Sequence, residues 1–246
     1  MLETAERIAT VVRSLPEASL RVSFLRDYLG TGDVVEVGRV FDTLASASSD
    51  GTDRDILLAL VMLLAGLADD PELDRLGHTA AAQNFTRLSR LLRRAPELSR
   101  SQSNPPIPNY GAGRELSVGE RKALARAPSR ASFDKLLCDP HPLVIRQLLS
   151  NPRLTENDIV RLGARRPANV EALRSIARTE WLCRPRVRMT LIHNPGTPSA
   201  IAVPLLAVCT RPELMQVRAS SECSELLREI AAELLVLRSI RPPREA

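Results

Sequence analysis

An internal repeat is the feature of this sequence that most constrains its fold. Residues 141–152 (HPLVIRQLLSNP) align with residues 184–195 (RPRVRMTLIHNP) at an offset of 43 residues. A proline, a valine, a leucine and a final Asn-Pro coincide in the two copies. A period of this length is typical of helical repeats, whose units stack because one unit alone cannot bury its apolar face.

Each copy has the start, the buried face and the stop of one short helix. Pro142 and Pro185 open the helices, where a missing N–H is harmless. Apolar residues one turn apart predict a buried stripe on each helix: Val144 and Leu148 in the first copy, Val187 and Leu191 in the second. The Asn-Pro pair ends the helix because proline cannot extend it. A second capped helix follows each copy, from about Thr155 and Thr197.

The pattern V-x-x-x-L-Φ-x-N-P followed by a capped helix resembles the HEAT-like and leucine-rich-repeat-variant α-solenoids of bacteria. The resemblance covers residues 116–240. It implies an all-α fold, a solenoid of stacked helical pairs, that holds another macromolecule on its surface. Bacterial members with repeat variants can carry a cysteine-bound iron–sulfur cluster, but the four cysteines here are scattered (Cys138, Cys183, Cys209, Cys223). No cofactor is therefore expected.

The remainder of the chain is predicted to be helical with one linker. Residues 1–94 show helical periodicity, and the apolar run 56–68 is too short for a membrane span, which needs roughly 20 residues. It predicts a central buried helix instead, so we expect no membrane insertion. Asp70-Pro71 starts a helix that is expected to run to about residue 94. Residues 95–115 are rich in Pro, Ser and Gly, which predicts a spacer or an ordered crossing over the helices.

Catalytic and metal-binding patterns are not recognisable in the sequence. Aromatic residues are only 3% of the chain, so packing depends on aliphatic side chains. The three histidines, His78, His141 and His193, each have a structural interpretation on a helix or in a turn. Cys138 and His141 have a spacing that suits two metal ligands, but no second pair completes a site. We expect a protein without enzyme activity or bound metal, with an unrecognised activity as the alternative.

Positive charge is concentrated in the C-terminal part of the chain. The net charge is +5, made up of −3 in residues 1–100 and +8 in residues 101–246, nearly all of the excess being arginine. Arginine can solvate helix ends or bind an acidic protein, a phosphate group or nucleic acid. Seven arginines are the predicted partner-binding residues: Arg146, Arg153, Arg165, Arg166, Arg184, Arg186 and Arg188.

The preferred hypothesis from the sequence is a protein-interaction scaffold that binds a protein partner. The alternative is a HEAT-like protein that grips a nucleic-acid phosphate backbone through its arginine-rich C-terminal half. The first residues, MLETAERIATVV, carry acids where a signal peptide carries basic residues, and no CxxC pair is present. These features predict a cytoplasmic protein with reduced thiols.

Overall fold

The computed structural model describes residues 2–46, 53–95, 106–127 and 129–240. These residues form fifteen α-helices, two short 3-10 helices and no strand, which confirms the predicted all-α class. The helices are α1 (Leu2–Ser14), α2 (Ala18–Thr31), α3 (Val34–Leu44), α4 (Asp53–Gly66), α5 (Pro71–Ala82), α6 (Thr86–Leu91), α7 (Val118–Arg126), α8 (Arg130–Leu136), α9 (Pro142–Leu149), α10 (Glu156–Gly163), α11 (Val170–Ala177), α12 (Pro185–His193), α13 (Ser199–Leu205), α14 (Arg211–Ala219) and α15 (Glu225–Ile240). The 3-10 helices are Glu180–Cys183 and Leu206–Val208.

The helices form two compact units. The terminal unit combines Met1–Pro96 with Pro198–Ala246, and the central unit is Glu97–Thr197. This division differs from the predicted boundaries, which placed residues 116–240 in one region after an N-terminal region 1–94 and a linker 95–115. Within the predicted linker, residues 96–105 lie outside the described residues.

Helix α4 explains why the C-terminal helices belong with the N-terminal ones. From Ile56 onward almost every residue of α4 is buried, which confirms the predicted central helix. A helix that is apolar on all sides must be covered on all sides. Helices α1, α2 and α3 pack on it, and so does α13, which contributes its own buried face. The α4 surface therefore requires residues from both ends of the chain.

The segment predicted as one helix from Pro71 to about residue 94 contains two helices. Helix α5 ends at Ala82, and Asn84 adopts a left-handed backbone conformation with φ of 56°. Helix α6 then begins without a local side-chain cap. Asp42 on α3 supplies the cap instead, because its Oδ1 accepts from the backbone N–H groups of Arg87 (2.8 Å) and Leu88 (2.9 Å). The prediction failed because this cap comes from 45 residues away.

In the central unit, the two matched segments have the same local structure. The predicted stripe residues of α9 and α12 are buried, as expected: Val144, Leu148, Val187 and Leu191. Helix α7 packs on α9, and α10 packs on α12. Helices α8 and α11 come between the members of these pairs, so each set holds three helices.

The asparagine of each Asn-Pro stop ties two helix ends together. Its side-chain amide donates to carbonyls at the end of the first helix in the set, and its Oδ1 accepts from a backbone N–H two residues on. The amide links, with their N···O distances, are Asn151 to Ala125 O (3.1 Å) and Arg126 O (3.0 Å), and Asn194 to Gly163 O (2.6 Å) and Arg165 O (3.2 Å). Because short helices leave several carbonyls without an intrahelical partner, these buried amides satisfy groups that would otherwise be costly.

Candidate interaction surface

Three of the seven predicted partner-binding arginines donate to backbone carbonyls of the central unit. These bonds are Arg165 Nη1 to Leu137 O (3.1 Å), Arg166 Nη2 to His193 O (3.2 Å), and Arg188 Nη1 to Leu182 O (2.7 Å) and Cys183 O (3.0 Å). They satisfy carbonyls at the ends of short helices. Arg188 is only 2% exposed, so it presents no charge to a partner. This differs from the prediction from the sequence, which placed Arg188 among the surface residues that bind a partner.

The other four predicted arginines are exposed: Arg146, Arg153, Arg184 and Arg186. Arg146 lies on the exposed side of α9. Arg184 is the N-cap residue of α12, and Arg186 Nη1 donates to Asn157 Oδ1 at the start of α10 (2.9 Å). Since the Asn194 link joins the far ends of the same two helices, α10 and α12 run parallel. Both helix starts therefore lie at one side, together with Arg184 and Arg186.

Two further exposed arginines adjoin this side of the central unit. Arg153 lies in the turn that leads into α10, four residues before Asn157. Arg126 ends α7, and its carbonyl accepts from the same Asn151 side chain whose Oδ1 accepts from Arg153 N. We call the four exposed residues Arg126, Arg153, Arg184 and Arg186 the arginine edge. The sequence missed Arg126, because the contact that brings it here spans 25 residues and has no local signal.

The arginine edge carries positive charge that no nearby carboxylate neutralises in the described residues. Among the described residues, no carboxylate forms an ion pair with any of its four guanidinium groups; Arg126 and Arg186 contact only the neutral amides of Gln147 and Asn157. Some other exposed arginines of the unit are paired, such as Arg161 with Asp134 at 2.8 Å. The nearest acid along the chain is the half-buried Glu156, the first residue of α10. Over residues 97–197 there are 17 Lys and Arg against 9 Asp and Glu, a net charge of +8.

The starts of α9 and α12 differ although their sequences align. At α9, His141 is the N-cap and its Nδ1 accepts from Leu143 N at 3.2 Å. At α12, Arg184 is the N-cap and its side chain makes no cap hydrogen bond. The positive end of the α12 dipole is thus flanked by positive side chains instead of an acceptor.

A buried polar cluster anchors the segment before α7. Arg121 Nη1 donates to both carboxylate oxygens of Asp139 at 2.7 Å, and the two side chains are 4% and 0% exposed. The Tyr110 hydroxyl donates to Asp139 Oδ2 at 2.6 Å. Burial raises the pKa of Tyr110, and its hydrogen bond to Asp139 raises it further. Tyr110 therefore stays protonated and holds the described end of the predicted linker against the central unit.

The three histidines occupy the helix and turn positions that the sequence suggested. His141 caps α9, and the Nδ1 atom of His193 lies 3.0 Å from the Met189 carbonyl in the last turn of α12. His78 lies exposed on α5. Across the described ranges, no group of three or more His, Cys, Asp or Glu side chains is arranged to hold a metal ion.

The terminal unit contains an open pocket of about 330 Å³. Its lining residues are Thr4, Asp33, Val35, Glu36, Arg39 and Val40. The acceptor in this pocket is already engaged, since Asp33 Oδ2 accepts from Val35 N and Glu36 N as the cap of α3. Of the other polar residues in the lining, Glu36 and Arg39 are exposed and Thr4 is half-buried, so this pocket is lined by no fully buried polar side chain.

Within the described part of the chain, no helix combines the length and the apolar character needed to cross a membrane. No family model matches the chain, and neither a curated protein nor a solved structure matches it.

Proposed function

We propose that this chain is a non-enzymatic scaffold of the HEAT-like, α-solenoid type that binds an acidic protein partner through its central unit. The observation that carries the proposal is the net charge of +8 on residues 97–197, together with four exposed arginines that have no carboxylate partner in the described residues. Unneutralised surface charge of one sign attracts a partner of the other sign and speeds encounter.

The bonding of the two matched segments supports the repeat part of this proposal. Both copies use the same buried Val and Leu positions and the same asparagine link, whereas exposed positions such as Leu143 and Arg186 differ. Scaffolds built from stacked helical units present such exposed positions as an extended binding surface.

The direct test is capture of partners by the tagged full chain from lysate of the source cells, before and after nuclease treatment. We expect a discrete protein that survives nuclease and elutes between about 50 and 200 mM salt, because the contact is electrostatic. The same capture with Arg184→Glu/Arg186→Glu is expected to lose that protein. Retention of the protein by this variant would rule out the exposed arginines as its docking site.

Binding to a nucleic acid is the second candidate, because guanidinium groups bind phosphate as well as carboxylate. It predicts that nuclease removes the captured material. It also predicts that the logarithm of the affinity for a DNA duplex falls steeply with the logarithm of the salt concentration. A flat salt dependence or undetectable duplex binding would eliminate this candidate.

A further inference from the structure

We infer that the arginine edge is the docking point, and that it receives a short extended segment rich in Asp and Glu from the protein partner. This inference rests on the proposed function and adds to it the place of binding and the chemistry of the bound segment. It follows from which arginines of the central unit are already neutralised and which are not.

The arginines of the edge differ in their partners from several other arginines of the central unit. Away from the edge, Arg114 pairs with Glu120 (2.5 Å) and Arg161 pairs with Asp134 (2.8 Å), whereas the exposed Arg146 on α9 has no carboxylate partner in the described residues. At the edge, Arg186 has a neutral partner, Asn157, and the described residues offer Arg153 and Arg184 no side-chain partner. A guanidinium that already holds a carboxylate gains little from a second one, so an acidic ligand is expected to bind where several unpaired arginines lie at one side, as they do at the edge.

The size of the edge fits a short peptide. Two packed helices lie about 8–10 Å apart, and Arg184 and Arg186 lie where α12 begins beside α10. Arg153 and Arg126 continue the edge through the Asn151 amide. An extended chain advances at most about 3.3–3.6 Å per residue. A segment of about five residues is thus long enough to offer carboxylates to neighbouring arginines along the edge.

The start of α12 adds to the attraction for carboxylates. Its N-cap is Arg184, and no side chain accepts from its first-turn N–H groups in the described residues. The equivalent position at α9 holds His141, which supplies the acceptor itself. The bound segment is expected to place one carboxylate at this helix start, where the helix dipole is positive.

The test uses the full chain and a fluorescein-labelled decaglutamate peptide, with fluorescence anisotropy at 50 and 200 mM salt. We expect Arg184→Ala/Arg186→Ala to weaken binding about tenfold or more at 50 mM, because two charge-assisted contacts are lost. The matched control is Arg114→Ala/Arg161→Ala, which removes the same charge from the same unit at paired positions. The control is expected to weaken binding less than about twofold.

A second variant keeps the test independent of folding at the start of α12. Arg153 is exposed in a turn, so Arg153→Ala leaves the fold intact, as circular dichroism checks, and is expected to weaken binding about threefold. If the edge and control variants lose decaglutamate affinity equally, the arginine edge is not the docking point, although an acidic partner is still supported. Failure of the wild-type chain to bind decaglutamate at 50 mM salt would instead overturn the acidic-partner function itself.

A labelled DNA duplex is the remaining arm of the experiment. If the duplex binds more tightly than decaglutamate and loses affinity in Arg184→Ala/Arg186→Ala, the edge serves nucleic acid and the peptide inference is wrong. Weaker duplex binding, or duplex binding that the edge variants leave unchanged, supports the acidic segment.

Discussion

The starts of α9 and α12 are matched in sequence and differ in what they offer to solvent and to the core. At α9 the buried charge is Asp139, paired with Arg121, and the exposed N-cap is His141. At α12 the buried charge is Arg188, bonded to carbonyls, and the exposed N-cap is Arg184. The apolar stripe and the asparagine link are the same in both copies. The same stripe and the same link are therefore combined with different charged groups at and near the helix start.

The largest expected effect is the loss of stability on removing Asp139, the buried charge just before the first copy. Asp139→Ala leaves the Arg121 guanidinium buried without its carboxylate, so we expect the free energy of unfolding to fall by about 3–5 kcal/mol. Urea denaturation followed by circular dichroism measures this loss. Asp134→Ala is the control, because it removes a carboxylate from an exposed pair with Arg161 and is expected to cost less than about 1 kcal/mol. Similar costs for both variants would contradict the assigned role of Asp139.

The next largest effect is expected from removing the asparagine links, which tests whether the two copies are equivalent. Asn151→Ala and Asn194→Ala each remove two donors from buried carbonyls, so we expect each to cost about 2–3 kcal/mol. The same urea denaturation compares them. Asn157→Ala is the matched control, because this exposed asparagine bonds only to the Arg186 side chain in the described residues. The two copies are not equivalent if either Asn151→Ala or Asn194→Ala lowers the free energy of unfolding as little as Asn157→Ala does.

Local sequence signals predicted the helix starts and stops but not the long-range contacts. The prolines before α9 and α12 and the Asn-Pro stops have effects within one turn, so the sequence was sufficient for them. The cap that Asp42 provides for α6 and the covering of α4 by α13 join residues far apart in the chain. Arg188 was placed on the surface because charged residues are rarely buried, and no sequence feature indicates the carbonyls of Leu182 and Cys183 that bury it. At the candidate surface, exposure was predicted for Arg184 and Arg186, whereas Arg126 was missed.

A smaller effect comes from exchanging the two kinds of N-cap. His141→Ala removes the acceptor for Leu143 N, and we expect a loss of about 0.5–1 kcal/mol. Arg184→Asp supplies an acceptor and a negative charge to the start of α12, and we expect a gain of similar size. The same variant is expected to weaken decaglutamate binding, since it reverses a charge of the arginine edge. If Arg184→Asp raises the free energy of unfolding but weakens decaglutamate binding, the structural role of this position is separate from its docking role. If it lowers both, Arg184 itself stabilises α12.

The smallest effect concerns the pH dependence of the α7 cap. The pKa of Glu120 is lowered from 4.5 to about 2, first by the hydrogen bond from Arg114 and then by those from the backbone and side chain of Ser117. A depressed carboxyl pKa stabilises the fold above the ordinary value, and this contribution is lost as pH falls from about 4.5 towards 2. Carbon-13 NMR titration is expected to find the Glu120 midpoint near 2 in the wild-type chain. In Arg114→Ala the midpoint is expected to rise towards 4.5, because the largest cause is gone, yet to stay below it while Ser117 still donates.

A wild-type midpoint near 4.5 would mean that Arg114 does not hold Glu120 in solution. Arg114 would then be an unpaired arginine like those of the edge, and it could no longer serve as a paired control for the docking test.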